Sequence, residues 1–306
     1  MRIIYMGTPD FAVPSLEILV QNGYKVVGVV TAPDKPAGRG LKVQESEVKQ
    51  AARRLNLPIF QPTNLKDPDF QAELKALNAH LQIVVAFRML PEAVWNMPPL
   101  GTLNLHASLL PQYRGAAPIN WAIINGEKET GLTTFFLQHQ IDTGDIILQE
   151  KEAIQEDDTA GTLYDRLKIK GAELILKTVR LIEKGDYTLQ KQIIKDPESL
   201  KPAPKIFTEH TFINFRRKGE DILNFMRGLA PYPMARMRLN DKAYKVFEAD
   251  FIEDDAPSEL MMGEFRTDGK SFLHIRIPDG YLAIQQLQAE GKKKMSISEF
   301  LRGNKL

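Results

Sequence analysis

Hydrophobic and polar positions alternate along the first 190 residues in a way that predicts repeated strand–helix units. Ile3 to Met6 and Val26 to Val30 are continuous apolar runs, the pattern of strands buried on both faces of a parallel sheet. Gly7-Thr8-Pro9-Asp10 ends the first run, and Phe11, Val13, Leu16, Leu19 and Val20 mark the helix expected after it. Helices are predicted near Ser46 to Asn56 and Asp67 to Leu77, with a short strand at Pro58 to Phe60 between them. His80 to Phe87 is a strong buried strand, followed by a short helix to Met97. Ala117 to Asn125 reads as a helix, Leu132 to His139 and Ile146 to Glu150 as a strand pair, and Leu163 to Lys184 as the longest helix. These units predict an α/β fold: a Rossmann-like, mostly parallel sheet with helices on both faces.

The pattern then breaks. Gln190 to Ile206 carries four lysines and three prolines with no apolar period, the composition of a linker. Gly219 to Leu229 predicts a short helix. Short alternating runs follow at Ala235–Leu239, Ala243–Ala249, Phe272–Ile277 and Gly280–Leu287, separated by turn residues. They predict a C-terminal small β-barrel (OB-like) domain. The expected division is a catalytic domain over 1–189, a linker over 190–206 and the β-barrel over 207–306.

Composition narrows the chemistry. The 306 residues carry a net charge of +1, so any nucleic-acid contact must come from local patches and not from bulk charge. The absence of cysteine removes disulfides, thiolate nucleophiles and Cys-based zinc sites. No stretch approaches the length of a transmembrane helix, and the apolar run at the N-terminus is too short for a signal peptide. A cytoplasmic protein is expected.

The candidate chemistry lies in Thr102-Leu103-Asn104-Leu105-His106-Ala107-Ser108. Successive side chains on a strand point to opposite faces, so Asn104, His106 and Ser108 share one face. Pro111 and Gly115 end the strand soon afterwards, which puts that face near the C-terminal end, where open α/β sheets bind ligands. A second polar turn, Ile141-Asp142-Thr143-Gly144-Asp145, can bring a carboxylate to the histidine. Histidine titrates near neutral pH, a carboxylate orients it and stabilises its charged form, and an asparagine amide can donate to a developing oxyanion. The set holds no strong nucleophile, which suits direct transfer of an acyl-like group or hydrolysis by water. His80, His139, His210 and His274 have no motif partner and read as surface or packing residues. Trp95 and Trp121 read as core.

Thr31 to Lys42 follows a strand and holds three basic residues, two prolines and two glycines. It reads as an exposed loop rather than a core element. Arg39, between two glycines, can reach a phosphate or sugar. The first strand–turn–helix lacks G-x-G-x-x-G, which argues against a dinucleotide site and a nicotinamide-dependent oxidoreductase.

Several blocks together resemble the methionyl-tRNA formyltransferase family over nearly the whole chain. They are Met6-Gly7-Thr8-Pro9-Asp10-Phe11, Pro36-Ala37-Gly38-Arg39-Gly40, Asn104-Leu105-His106-Ala107-Ser108-Leu109-Leu110-Pro111, Arg114-Gly115-Ala116-Ala117-Pro118-Ile119 and Asp142-Thr143-Gly144-Asp145, with Pro231-Tyr232-Pro233 and Leu287 to Lys293 near the C-terminus. The chain departs from the family pattern at Phe87-Arg88-Met89 and at Asn214-Phe215.

The resemblance implies transfer of a formyl group from 10-formyltetrahydrofolate, without a metal, to the α-amine of initiator methionyl-tRNA. It implies Asn104, His106 and Asp142 as catalytic residues, the first two at the oxyanion and Asp142 orienting His106. It puts the folate near Phe87, Arg88, Met89 and Leu90, near Ser108, Leu109, Leu110 and Pro111, and near the turn at His139 to Asp142. Arg39, with Lys35 and Lys42, would meet the tRNA, supported by the β-domain, and the protein would act as a monomer. Another 10-formyltetrahydrofolate-dependent formyltransferase or hydrolase with a different acceptor is the alternative. A non-catalytic RNA-binding protein on this scaffold fits less well with an intact Asn104, His106 and Asp142.

Overall fold

The structure is a computed structural model that describes residues 1–37, 42–194, 196–254, 256, 258–304 and 306. In chain order its elements are β1 (Arg2–Gly7), α1 (Val13–Gln21), β2 (Lys25–Val30), β3 (Lys35–Ala37), β4 (Lys42–Gln44), α2 (Glu47–Arg54), β5 (Ile59–Phe60), α3 (Pro68–Ala76), β6 (Leu81–Val85), α4 (Glu92–Trp95) and β7 (Thr102–His106). They continue with α5 (Pro118–Ile124), β8 (Glu129–Phe136), β9 (Ile146–Ala153), α6 (Ala160–Lys184), α7 (Gly219–Leu229), β10 (Ala235–Leu239), β11 (Lys242–Glu253), β12 (Phe265–Thr267), β13 (Leu273–Ile277), β14 (Gly280–Ala289), β15 (Met295–Ser296) and α8 (Ile297–Gly303). The chain forms two compact units. One comprises Met1–Gly115, Thr130–Ala153 and Tyr164–Pro202, and the other Ala116–Glu129, Ile154–Leu163 and Ala203–Leu306.

The first unit is built on a seven-stranded sheet of order β5-β2-β1-β6-β7-β8-β9. Its strands from β5 to β7 run parallel, and β8 pairs antiparallel with β7. The central strands are mostly apolar because both faces are covered: every residue of β6 is buried, Gln82 included, as are five of the six in β1. On one face, Met6, Val84 and Val30 pack with Phe70 and Leu74 of α3 and Val94 of α4. On the other, α6 lies close to Leu105, and a Cβ at Gly171 would come within 2.8 Å of Leu105 Cδ2. The alternation in β7 therefore splits as its sequence predicts, with Leu103 and Leu105 towards α6 and Asn104 and His106 away from it. Gly7 is level with Val85 of β6, and Val85 with Leu105 of β7, so the C-terminal ends of β1, β6 and β7 share one edge.

The stretch expected to be a loop over Thr31 to Lys42 contains structure. β3 and β4 form a two-stranded antiparallel ladder, Lys35 opposite Gln44 and Ala37 opposite Lys42. Pro36 is compatible with it because each strand of a two-stranded ladder has a free edge that needs no donor.

In the second unit the antiparallel sheet runs β10-β11-β14-β13-β12, with β15 added to β14. Its core joins Val246, Ile275, Ile284 and Leu287 of the sheet to Ile222 and Leu229 of α7 and Phe300 of α8. α8 begins with a capping box, Ser296 and Glu299 each bonding the other's backbone N–H, which satisfies two of the helix's unpaired donors. Within the same unit α5 packs on α7: Asn120 donates to the carbonyl of Gly228 at 2.8 Å, and a Cβ on Gly228 would meet Ile124 at 2.5 Å.

Candidate active site

The site is assembled where β7 ends. Asn104 is level with Val84 of β6 and Phe135 of β8, and His106 is opposite Thr133 of β8. His106 is 7% exposed. Its Nε2 is 2.8 Å from the carbonyl oxygen of Tyr113. A carbonyl can only accept, so Nε2 carries the hydrogen and Nδ1 is the nitrogen left for chemistry. Nδ1 faces Asp142, 3.9 Å from Oδ2. That distance is within ion-pair range and beyond a direct hydrogen bond, so Nδ1 faces the carboxylate and stays accessible to a reacting group. The side-chain amide of Asn104, half-buried, has no protein hydrogen-bond partner among the described residues.

Asp142 is fixed from two sides. Its Oδ2 accepts from the Gly115 N–H at 3.0 Å. Its backbone is left-handed, φ 54°, a region that aspartate enters more readily than most residues. Two residues on, a Cβ at Gly144 would lie 1.7 Å from the Phe136 carbonyl oxygen, so the Asp-x-Gly spacing is a steric requirement of the turn. The carbonyls of Asp142 and Gly144 both accept from the side-chain amide of Gln192, at 2.8 and 2.9 Å. Arg114 in turn donates to the Gln192 side-chain oxygen.

Behind β7 the Ser108–Tyr113 loop is held by buried polar groups. Ser108 is fully buried and donates to the Gln112 carbonyl at 2.7 Å. Thr133 donates to the Ser108 carbonyl at 2.6 Å and accepts from the Leu110 N–H. Gln149 donates to the Leu110 carbonyl at 2.8 Å. Leu110 is buried with Phe135 and Ile146, and Leu109 packs where Gly131 has no side chain. Pro111 is half-buried.

The Phe87–Leu90 segment follows β6 on the same edge. Leu90 is buried in the sheet core and Phe87 packs against it, whereas Met89 is 76% exposed. Arg88 donates to the carbonyls of Thr63 and Pro62. Next to the Asp142 turn opens a cleft of about 340 Å³ lined by Trp95, Gln138, His139, Gln140 and Thr143. Trp95 and His139 meet edge to face, centroids 5.4 Å apart, and His139 Nε2 is 3.5 Å from Glu92. Both residues border the cleft; Trp95 also packs against the sheet core, as its apolar helix context suggests, and His139 opens the turn near which the resemblance puts the folate.

Further along the edge, Lys49 of α2 is 9% exposed and ties the base of the β3–β4 ladder. Its ammonium is 2.5 Å from Asp34, just before β3, and 3.3 Å from Glu45, just after β4. Hydrogen bonds from Lys49 and Gln61 hold the Asp34 carboxyl below its usual range. Lys35 and Lys42 fall on β3 and β4, and Arg39 lies outside the described residues.

A family model described as formyl transferase matches residues 1–179, and a second, described as formyl transferase, C-terminal domain, matches 205–305. The methionyl-tRNA formyltransferase of Parabacteroides distasonis is 52% identical over 313 residues, spanning 100% of this chain and 96% of the relative. That of Bacteroides thetaiotaomicron is 50% identical over 312 residues, again 100% and 96%. The chain belongs to the methionyl-tRNA formyltransferase family. Among solved structures, an N-formyltransferase from Helicobacter canadensis in complex with folinic acid and dTDP-3-aminofucose aligns with a TM-score of 0.67 at 23% identity, covering 96% of this chain and 99% of that one. HypX from Aquifex aeolicus in complex with tetrahydrofolic acid aligns with a TM-score of 0.62 at 18% identity, covering 98% and 47%. These two likenesses are of fold.

Within this member of the methionyl-tRNA formyltransferase family, β7 and the Asp142 turn bring His106 and Asp142 together, and Asn104 lies on the same face of β7 as His106. The sequence reading missed the Tyr113 carbonyl, Gly115, Thr133, Gln149 and Gln192. Of these, Gly115 is visible in the sequence as a strand-ending residue, but its contact with Asp142 is not.

Proposed function

We propose that the chain transfers the formyl group of 10-formyltetrahydrofolate to the α-amine of initiator methionyl-tRNA. The observation that carries this is a His106–Asp142 pair with an unpartnered Asn104 amide at the sheet edge, in a chain at least 50% identical over its length to proteins named for that reaction. The amine attacks the formyl carbon, the carbonyl becomes an oxyanion, and the bond from that carbon to the folate nitrogen then breaks. The amine loses one proton and the folate nitrogen gains one. Asn104 donates to the oxyanion, joined by His106 once Nδ1 is protonated. Asp142 stabilises the imidazolium and takes part in removing the amine proton, which its carboxylate accepts. Rate gain comes from alignment of two substrates and from donors set in advance.

The donor lies along Phe87–Leu90, the Ser108–Pro111 loop and the Trp95–His139 cleft. Exposed Met89 offers an apolar contact, whereas the buried Ser108 and Leu110 shape the wall from behind. Lys35 of β3 and Lys42 of β4 meet the acceptor arm together with Arg39, which lies between them in sequence, and the second unit supports the tRNA. Translation initiation belongs to the cytoplasm, and one chain supplies every residue assigned to the reaction, so a monomer suffices. The test offers 10-formyltetrahydrofolate with charged initiator methionine tRNA, charged elongator methionine tRNA or free methionine. N-formylmethionine formed on the initiator alone supports the reading. Loss of the formyl group to water with all three acceptors overturns the choice of acceptor.

A further inference from the structure

Gln192 sits in a stretch whose burial runs against its polarity. Leu189, Ile193 and Ile194 are exposed, at 46%, 72% and 38%, while Gln192 between them is turned inward and half-buried. Burial of apolar surface does not explain that orientation, because it would turn the isoleucines in and leave the amide in water. The hydrogen bonds of Gln192 do explain it. Its one amide nitrogen donates to the carbonyls of Asp142 and Gly144, and its oxygen accepts from Nε and Nη2 of Arg114, at 3.1 and 2.5 Å. Gly115, the neighbour of Arg114, donates its N–H to the Asp142 carboxylate. A closed ring of contacts thus runs from Arg114 through Gln192 to the Asp142 backbone, and from the Asp142 side chain back to Gly115. Two residues upstream, Gln190 exchanges backbone hydrogen bonds with Ile146 at 2.8 and 2.9 Å, which sets where Gln192 enters.

We propose that Gln192 is a positioning residue for formyl transfer. It holds the left-handed Asp142 turn so that the carboxylate faces His106 Nδ1, and Arg114 keeps its amide the right way round. The inference rests on the assignment of Asp142 to the reaction. Asp142 cannot be held by the sheet there, because the turn has left β8 and its two carbonyls point to Gln192 instead. A displacement of about 1 Å in such a group is enough to change a rate by about 100-fold.

The experiment is a double-mutant cycle on the full chain with Gln192→Met, which keeps length and shape and removes both polar functions, and Asp142→Asn. The expected result is a fall in kcat of about 10- to 100-fold for Gln192→Met, with KM for donor and for charged tRNA each within about twofold of wild type. In the Asp142→Asn background the same change should have almost no further effect. Gln192→Glu keeps an acceptor for Arg114 but puts an oxygen where the donor was, and it should lose as much. Wild-type kcat in Gln192→Met, a raised KM with unchanged kcat, or an equal fall in both backgrounds overturns the positioning role. Loss of the folded state in both Gln192 variants overturns it too, since Gln192 would then be a folding residue. If Asp142→Asn itself turns over at the wild-type rate, the catalytic assignment fails, an outcome separate from failure at Gln192 alone.

Discussion

His106 presents Nδ1 to the Asp142 carboxylate at 3.9 Å and keeps that orientation because its other nitrogen is bound to a backbone carbonyl. The carbonyl of Tyr113 settles the tautomer, and Gly115 and Gln192 settle where the carboxylate stands. The ring sits at the end of β7 and the acid in the turn that follows β8, so the sheet places the histidine while Gly115 and Gln192 place the carboxylate.

Asp142→Asn retains an oxygen able to accept from Gly115 and removes only the charge. With the imidazolium unsupported, kcat should fall by about 10²- to 10⁴-fold, the range associated with positioned acid–base groups. Steady-state kinetics beside a thermal melt checks this. A melt like wild type with that loss is expected, and a kcat within threefold of wild type would count against the pair.

Gly144→Ala forces a Cβ to within 1.7 Å of the Phe136 carbonyl oxygen unless the turn moves. Overpacking of this kind costs about 1–3 kcal/mol. Denaturant unfolding should show that loss, and activity should drop further than stability alone explains because Asp142 moves with the turn. An unchanged midpoint and rate would mean that the turn yields freely.

Leu110 and Met89 separate wall from contact. Leu110→Ala opens a cavity beside Phe135 and Ile146 and should destabilise the chain by about 2–5 kcal/mol. Met89 is 76% exposed, so Met89→Ala should leave stability within about 0.5 kcal/mol of wild type and instead raise KM for the folate donor. Unfolding curves and donor titrations on the two variants give opposite signatures if the assignment holds.

How much of this was legible before the structure depended on the kind of contact. The alternation Leu103, Asn104, Leu105, His106 is a period-two pattern, and period is what a sequence displays directly. The Asp-x-Gly turn was also visible, since its glycine answers a steric need. The Tyr113 contact was not visible, because a backbone carbonyl carries no signal of residue type. Gln192 was hidden for another reason: it lies 50 residues from Asp142, in a stretch whose lysines and prolines look like a linker. Trp95 packs against the sheet core, as its apolar helix context suggests, but that context does not reveal that its ring also borders a cleft. The β3–β4 ladder was hidden by Pro36 within it and by the prolines and glycines near it in sequence, which read as a loop; a two-stranded ladder accepts such a proline and a larger sheet interior does not.

Glu152 links stability to pH. It is 8% exposed, and burial alone would raise its pKa, but hydrogen bonds and charge from Lys170 and Arg166 outweigh burial and hold the carboxyl below its ordinary value. A folded-state pKa below the unfolded one gives stability that is present above the unfolded value, about 4.3, and lost as pH falls through the folded value. Wild type should therefore exceed Glu152→Gln in unfolding midpoint at pH 7, and the gap should shrink progressively below about pH 4. A gap independent of pH would show that the ion pairs do not act through the Glu152 charge.

The most direct test of the central claim is the single-turnover rate of formyl transfer by His106→Ala, measured with enzyme in excess over charged initiator tRNA and with saturating 10-formyltetrahydrofolate. The account predicts a fall of about 10³-fold or more, with tRNA affinity and melting temperature close to wild type. A rate near that of wild type would contradict it and remove His106 from the chemistry.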